Sequence, residues 1–261
     1  MHSAANRYRL AQELDAVLHG ERDSAWFRAT AGTRPEMVPT GIPEIDRLTG
    51  GLPKGHITEI TGATSSGRTS LMLSILAQIS SQNEVVSFID PGNAFDPVSA
   101  EAFGVHLNRL LWIRAGRSTL NIHQVLKTTD LLLQGGGFGL IGVDLSDLPP
   151  GDVQRMSPTP WFRLQRAAEN TPTILLFLNR EHTLKNTAAL ALQMDTAQTE
   201  WNKRFLSEVR PGARVVRSRH APGSSRQTHR FRLYPVACIE AGRIQSDEAH
   251  PVSKPSIGVA P

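Results

Sequence analysis

Residues 62–70, GATSSGRTS, carry the spacing of a phosphate-binding loop, G-x-x-x-x-G-K-[ST], with Arg68 where the lysine belongs. Such a loop works by aiming consecutive backbone N–H groups, at the start of a helix, toward phosphate oxygens. Gly62 and Gly67 stand at the two positions where a side chain would block that approach. Ser65, Ser66, Gly67, Arg68, Thr69 and Ser70 supply the amides and side chains around the anion, and the Thr69 hydroxyl is the expected Mg²⁺ ligand. Asp144 ends an apolar stretch, where a second carboxylate would reach the water shell of the same metal. Arginine keeps the lysine's charge but replaces a compact ammonium with a broad planar fork, so the exchange changes the cradle.

The elements around the motif have the order such a loop requires. HITEIT (56–61) reads as a short strand, and TSLMLSILAQISS (69–81) carries a helical apolar stripe. The alternation continues with strands at 84–90, 110–116, 138–145 and 172–179. Helices are expected at 97–104, 121–136 and 160–170. Near-continuous apolar strands between helices predict an α/β fold, a mostly parallel sheet covered on both faces. Residues 187–206 read as helical. The segments ARVVRSRH and THRFRLYP, around APGSSRQ, read as a C-terminal antiparallel hairpin with one wet face. Leu10, Leu14, Val17 and Leu18 predict an N-terminal helix. The expected organisation is an N-terminal helix and linker over 1–37, a core over 38–245, and a Pro/Ser-rich disordered tail over 246–261.

Bulk properties narrow the class. The 261 residues include one cysteine, Cys238, which excludes an internal disulfide framework and suits a reducing compartment. No apolar run is long enough to cross a bilayer and the start has no secretory h-region, so the cytoplasm is the expected compartment, with no membrane partner. The formal net charge is +4, but it is unevenly spread. Lys203 to Arg243 holds ten basic residues, Arg214, Arg217, Arg219, Arg230 and Arg232 among them, against Glu208 and Glu240. That face attracts phosphates, as in nucleic acid, or is a solvated sheet edge kept charged against aggregation.

Four segments, in order, resemble the ATPase core of the RecA recombinase family: TGIPEIDRLTGGLPKGHITEITGATSSGRTSL, FIDPGNAFDPVSAEAFGV, LIGVDLSDL and ILLFLN. The resemblance runs from about residue 38 to 234 and implies a RecA-like P-loop core with ATP and Mg²⁺ as cofactors. It also implies single-stranded DNA as a partner and self-assembly into homo-oligomers. The departures are informative. The family's water-activating glutamate falls on Gly92, its adenine-stacking tyrosine on Ser99, and its γ-phosphate-sensing glutamine on Arg180, while Asp96 beside the base is kept. Losing a general base removes about 10²–10⁴ in rate. With no catalytic residue assigned, the backbone cradle predicts nucleotide binding with hydrolysis slow or lost. Asp90, at a neighbouring strand end, is the one substitute base in view.

The family's two DNA loops correspond here to 146–160 and 180–193. The second lacks the family's glycines and reads as a helix, with Leu184, Ala188, Leu192 and Asp195 on one face. Trp161 and Phe162, near Arg155 and Arg163, are read as opening a core-packing helix rather than as a stacking platform. The short core, altered loop and basic terminus are similar to the ImuA group. This implies an accessory role beside an error-prone, polymerase-like subunit in the SOS response and translesion synthesis. The competing readings are an active DNA-dependent ATPase of RecA type and a ring-forming regulatory ATPase of KaiC type.

Overall fold

The structure is a computed structural model. It describes residues 35–116, 120–184, 186–202, 205–219 and 229–231. The expected N-terminal helix, the tail, Cys238, Arg232 and the turn of the basic hairpin lie outside the described residues.

The described residues form two sheets. Strands β1 (Met37–Val38) and β2 (Leu52–Pro53) form a small antiparallel pair flanking helix α1 (Pro43–Thr49). The main sheet is built from β3 (Ile57–Gly62), β4 (Val86–Asp90), β5 (Leu110–Arg114), β6 (Leu140–Asp144), β7 (Ile174–Asn179), β8 (Leu190–Asn202), β9 (Phe205–Ser218) and β10 (His229–Arg230). Their spatial order is β10-β9-β8-β3-β7-β6-β4-β5. The pairings from β8 through β5 are parallel, and β9 and β10 close one side antiparallel. The helices between strands are α2 (Arg68–Ser81), α3 (Pro97–Ala102), α4 (Ile122–Gly135), α5 (Pro150–Gln154) and α6 (Pro158–Glu169). This is the α/β fold that the apolar strands predict.

The period-2 alternation of β7 shows how both faces are used. Ile174, Leu176 and Leu178 pack into the core formed with α2, while Leu175 and Phe177 pack against α4 and α6. All of them are buried, which is why the strand reads as an unbroken apolar run. Helix α4 starts at a capping box: the Asn121 side chain accepts from the Gln124 amide, and Gln124 returns the bond to the Asn121 amide.

One expectation changes. Residues 190–202 are a strand, not a helix, and β8 lies parallel to β3 with Thr58 opposite Leu190 and Gly62 opposite Met194. Leu190, Leu192 and Met194 alternate into the α2 core, a burial that outweighs the helix preference of Leu, Ala, Gln and Met. The expected antiparallel basic hairpin is present as β9 and β10. Its first strand is part of β9, whose long partner is β8, and β10 adds only two described residues.

Candidate functional site

The parallel strands β3, β4, β6 and β7 all end at the same edge of the sheet, where an open α/β sheet places its ligands. Gly67, at φ 87°, sits in the left-handed region and caps α2. Gly62 is held for a different reason: a Cβ there would lie 2.6 Å from Ser66 Oγ and 2.7 Å from the Met194 carbonyl oxygen. Ser65 adopts a positive φ of 62°. The loop borders a cleft of about 320 Å³ whose walls include Ser65 to Ser70, Ala94, Asp144, Ser146, Asp147 and Arg180. Ser66 Oγ is buried there without a hydrogen-bond partner. A buried orphan hydroxyl beside amides at a helix start is a cradle with acceptor-shaped room, so the residues present fit a phosphate group. Thr69 and Asp144 line the same cleft, a hydroxyl and a carboxylate of the kind that hold Mg²⁺ with its waters. Among the described residues no cluster of three or more His, Cys, Asp or Glu side chains could hold a metal by itself.

Arg68 has an occupation of its own. Its Nη1 donates to Ser146 Oγ at 2.8 Å and to the Asn179 carbonyl, so it ties the loop after β6 to the end of β7. Both bonds leave from Nη1, so the other guanidinium N–H groups are not used in this tie. Burial lowers the Arg68 pKa, with the Arg180 charge adding and Asp144 and Asp147 opposing. Asp144 accepts from the Ser146 amide at 2.8 Å. Burial raises its pKa, Asp147 adds to the rise, and Ser146 and Arg68 oppose it.

Asp90 is not a spare base. Its carboxylate is buried and accepts from the amides of Ala94 and Phe95, both at 3.0 Å, and from Trp112 Nε1 at 3.2 Å. It pins the 91–95 loop, which Phe95 also anchors through ring contacts to Phe88 and Trp112 at 5.2 and 5.4 Å. Asp96 caps α3, accepting from the Val98 and Ser99 amides and the Ser99 hydroxyl. That hydroxyl is the leading cause of its lowered pKa. Asp96 is exposed, and the cleft walls do not include it.

Sequence reasoning missed Asp147. Its side chain lies directly over Gly92, and a Cβ at residue 92 would fall 2.1 Å from Asp147 Oδ2. Asp147 Oδ1 is 3.9 Å from Arg180 Nη2. The sequence signal was only a second acid three residues after Asp144. The structure also brings out Glu59, wholly buried in β3. It accepts from the amides of Thr183 (2.8 Å) and Leu184 (3.1 Å) and lies against His182 Nδ1.

The basic strand is tied down locally. Arg214 donates to Gln193 Oε1 at 2.7 Å, Arg217 to Asn186 Oδ1 at 2.9 Å, and Arg219 to the Asn186 carbonyl. Arg230 is exposed on β10. Trp161 is buried edge-on against Phe177 at 5.5 Å, whereas its neighbour Phe162 is half exposed and Arg163 pairs with Asp130. The core-packing reading therefore holds for Trp161 and not for Phe162.

The parallel sheet, phosphate loop and strand-end carboxylate define a RecA-like P-loop core of the α/β class. Residues 29–152 match the family described as the RecA N-terminal domain. The chain is 38% identical to Protein RecA of Methylococcus capsulatus over 161 residues, 56% of this chain and 45% of that protein. It is 33% identical to Protein RecA of Wigglesworthia glossinidia brevipalpis over 161 residues, 56% of this chain and 47% of that one. The chain thus spans about half the length, or less, of the curated relatives it matches. Its fold is similar to the crystal structure of the RadB recombinase, with a TM-score of 0.57 at 19% identity, covering 75% of this chain and 96% of that one. These likenesses show a RecA-like fold, with a segment over residues 29–152 similar to the RecA N-terminal domain.

Proposed function

We propose that the chain is a RecA-fold accessory protein of DNA repair, of the ImuA kind. In this reading it holds ATP with Mg²⁺ and hydrolyses it little. It acts in the SOS response and translesion synthesis by binding single-stranded DNA and a polymerase-like subunit. One observation carries this reading: the cradle is kept while the side chains that do chemistry are exchanged. Gly62, Ser66 and Gly67 retain the shape of an anion site, yet Arg68 is engaged by Ser146 and Asn179, and residue 92 is glycine.

Ser65 to Ser70 are the phosphate ligands in this reading, with Thr69 and Asp144 on the metal side. Bound Mg²⁺ would supply neutralisation of phosphate charge. Arginine guanidinium groups of this region would donate to DNA phosphates in this reading. Arg214, Arg217, Arg219, Arg230 and Arg232 are the candidates.

Two titrations test the proposal: a fluorescent ATP analogue with Mg²⁺, and single-stranded DNA across a salt series. Phosphate release is followed with and without DNA. Analogue binding with turnover far below one per second is expected. No binding at millimolar analogue refutes the site. Turnover in the ordinary enzyme range, about 1 s⁻¹ or faster, and abolished by Asp144→Ala, establishes the DNA-dependent ATPase instead. The Asp147 carboxylate in the cleft wall is the observation that favours that second reading.

A further inference from the structure

The 91–95 loop and the segment after β6 meet across the mouth of the phosphate cleft. Asp90 and Trp112 fix the first segment, and Arg68, through Ser146, fixes the second. Gly92 and Asp147 face each other at the junction. A Cβ on residue 92 would lie 2.1 Å from Asp147 Oδ2, 2.5 Å from its Cβ and 2.6 Å from its Cγ. Three atoms of one side chain, the Cβ included, fill that volume, so a rotation of the carboxylate alone does not clear it. Residue 92 can carry a side chain, or residue 147 can carry this one, but not both as they stand.

We infer that Asp147 is the proton-accepting carboxylate of this cleft, delivered from the β6 side to the place left open by Gly92. This deepens the nucleotide-site reading above and rests on it. The two carboxylate oxygens have different surroundings. Oδ1 faces Arg180 at 3.9 Å, a long and half-exposed pairing that screens easily. Oδ2 lies over Gly92, and the Asp147 side chain, held in the volume that a residue-92 side chain would take, forms part of the cleft wall. Asp147 acts electrostatically on both Arg68 and Asp144, which places it in the same charge cluster as the loop. In hydrolysis of a nucleoside triphosphate, the water oxygen bonds to the terminal phosphorus and the water proton passes to Asp147 Oδ2. The bridging P–O bond breaks, and the diphosphate leaves with that electron pair. Arg180, facing Oδ1, orients the carboxylate and leaves Oδ2 as the oxygen that takes the proton.

The test uses the full chain with Mg²⁺-ATP and single-stranded DNA. It compares wild type, D147N, G92E, and the double variant G92E/D147G. Phosphate release under single-turnover conditions is read beside the Kd of a non-hydrolysable ATP analogue and the melting temperature of the nucleotide-free proteins. D147N is expected to lower release about 10²-fold or more with less than a threefold change in analogue Kd. G92E is expected to melt below wild type. G92E/D147G is expected to recover both melting temperature and at least a tenth of wild-type release. Release by D147N equal to wild type, or falling only in step with analogue affinity, overturns the inference. So does a wild-type protein that binds the analogue and releases no phosphate, a result that leaves the accessory reading standing. A wild type that does not bind the analogue overturns both. A G92E variant as stable as wild type shows that the two side chains do not compete.

Discussion

Replacing Glu59 tests how the segment after β7 is held. Its carboxylate is wholly buried, accepts the Thr183 and Leu184 amides, and touches the His182 ring. Glu59→Ala takes the acceptor from the Thr183 and Leu184 amides and the contact from the partly exposed His182 ring. Each charge-assisted bond contributes about 1.5–3 kcal/mol, and breaking a buried pair costs roughly 3–5 kcal/mol. These overlap, so the expected loss is about 3–5 kcal/mol in all. For a domain of this size that lowers Tm by roughly 6–20 °C. Glu59→Gln keeps one acceptor oxygen for the two amides and loses only the charge facing His182, so about 1–2 kcal/mol is expected. Urea denaturation gives the free energies, and hydrogen exchange reads the Thr183 and Leu184 amides directly. An Ala variant within 1 kcal/mol of wild type, with both amides still protected, refutes the anchoring argument.

Three further predictions follow from the cleft and the basic strand. Burial holds the Asp144 carboxyl above its ordinary value of about 3.9, so the folded state binds the proton more tightly than the unfolded chain. The ionised form therefore weakens the fold, increasingly so as pH rises from the ordinary value through the native one. Asp144→Asn should raise Tm by a few degrees at pH 7 and leave it unchanged near pH 3, and equal shifts at both pH values would contradict this. Gly62→Ala drives a Cβ against the Met194 carbonyl. It should cost about 1–3 kcal/mol and weaken analogue binding more than tenfold, both read by titration and melting. Arg217→Glu with Arg219→Glu should weaken single-stranded DNA binding and flatten its salt dependence by about 1.4 logarithmic units per decade, the effect of two phosphate contacts. Unchanged affinity and slope would mean these arginines serve only to hold Asn186.

Much of the fold was legible because its strands are buried on both faces. Runs such as ILLFLN have no wet side to disguise them, and the loop between β3 and α2 is written in glycines. The strand β8 was misread because LALQM suits a helix in isolation. Only its place beside β3, more than a hundred residues away in the chain, makes it a strand. Asp90 looked available at a strand end, but the amides that occupy it belong to backbone, which a sequence motif does not display. Asp147 was invisible for a related reason. Nothing local says that residues 92 and 147 share one volume, and the absence of a side chain at Gly92 was read as a loss when it was also a space.

Strand β8 is much longer than β3. Their pairing ends at Gly62 opposite Met194, while β8 continues to Asn202, and its described pairings from there are with β9 alone. Trp201, near the far end of that two-stranded arm, is 63% exposed. The arm is thus a lever whose fulcrum is Met194, and the Met194 carbonyl abuts the first glycine of the cradle. The arm and the phosphate loop therefore share one stretch of backbone, where the Met194 carbonyl meets Gly62.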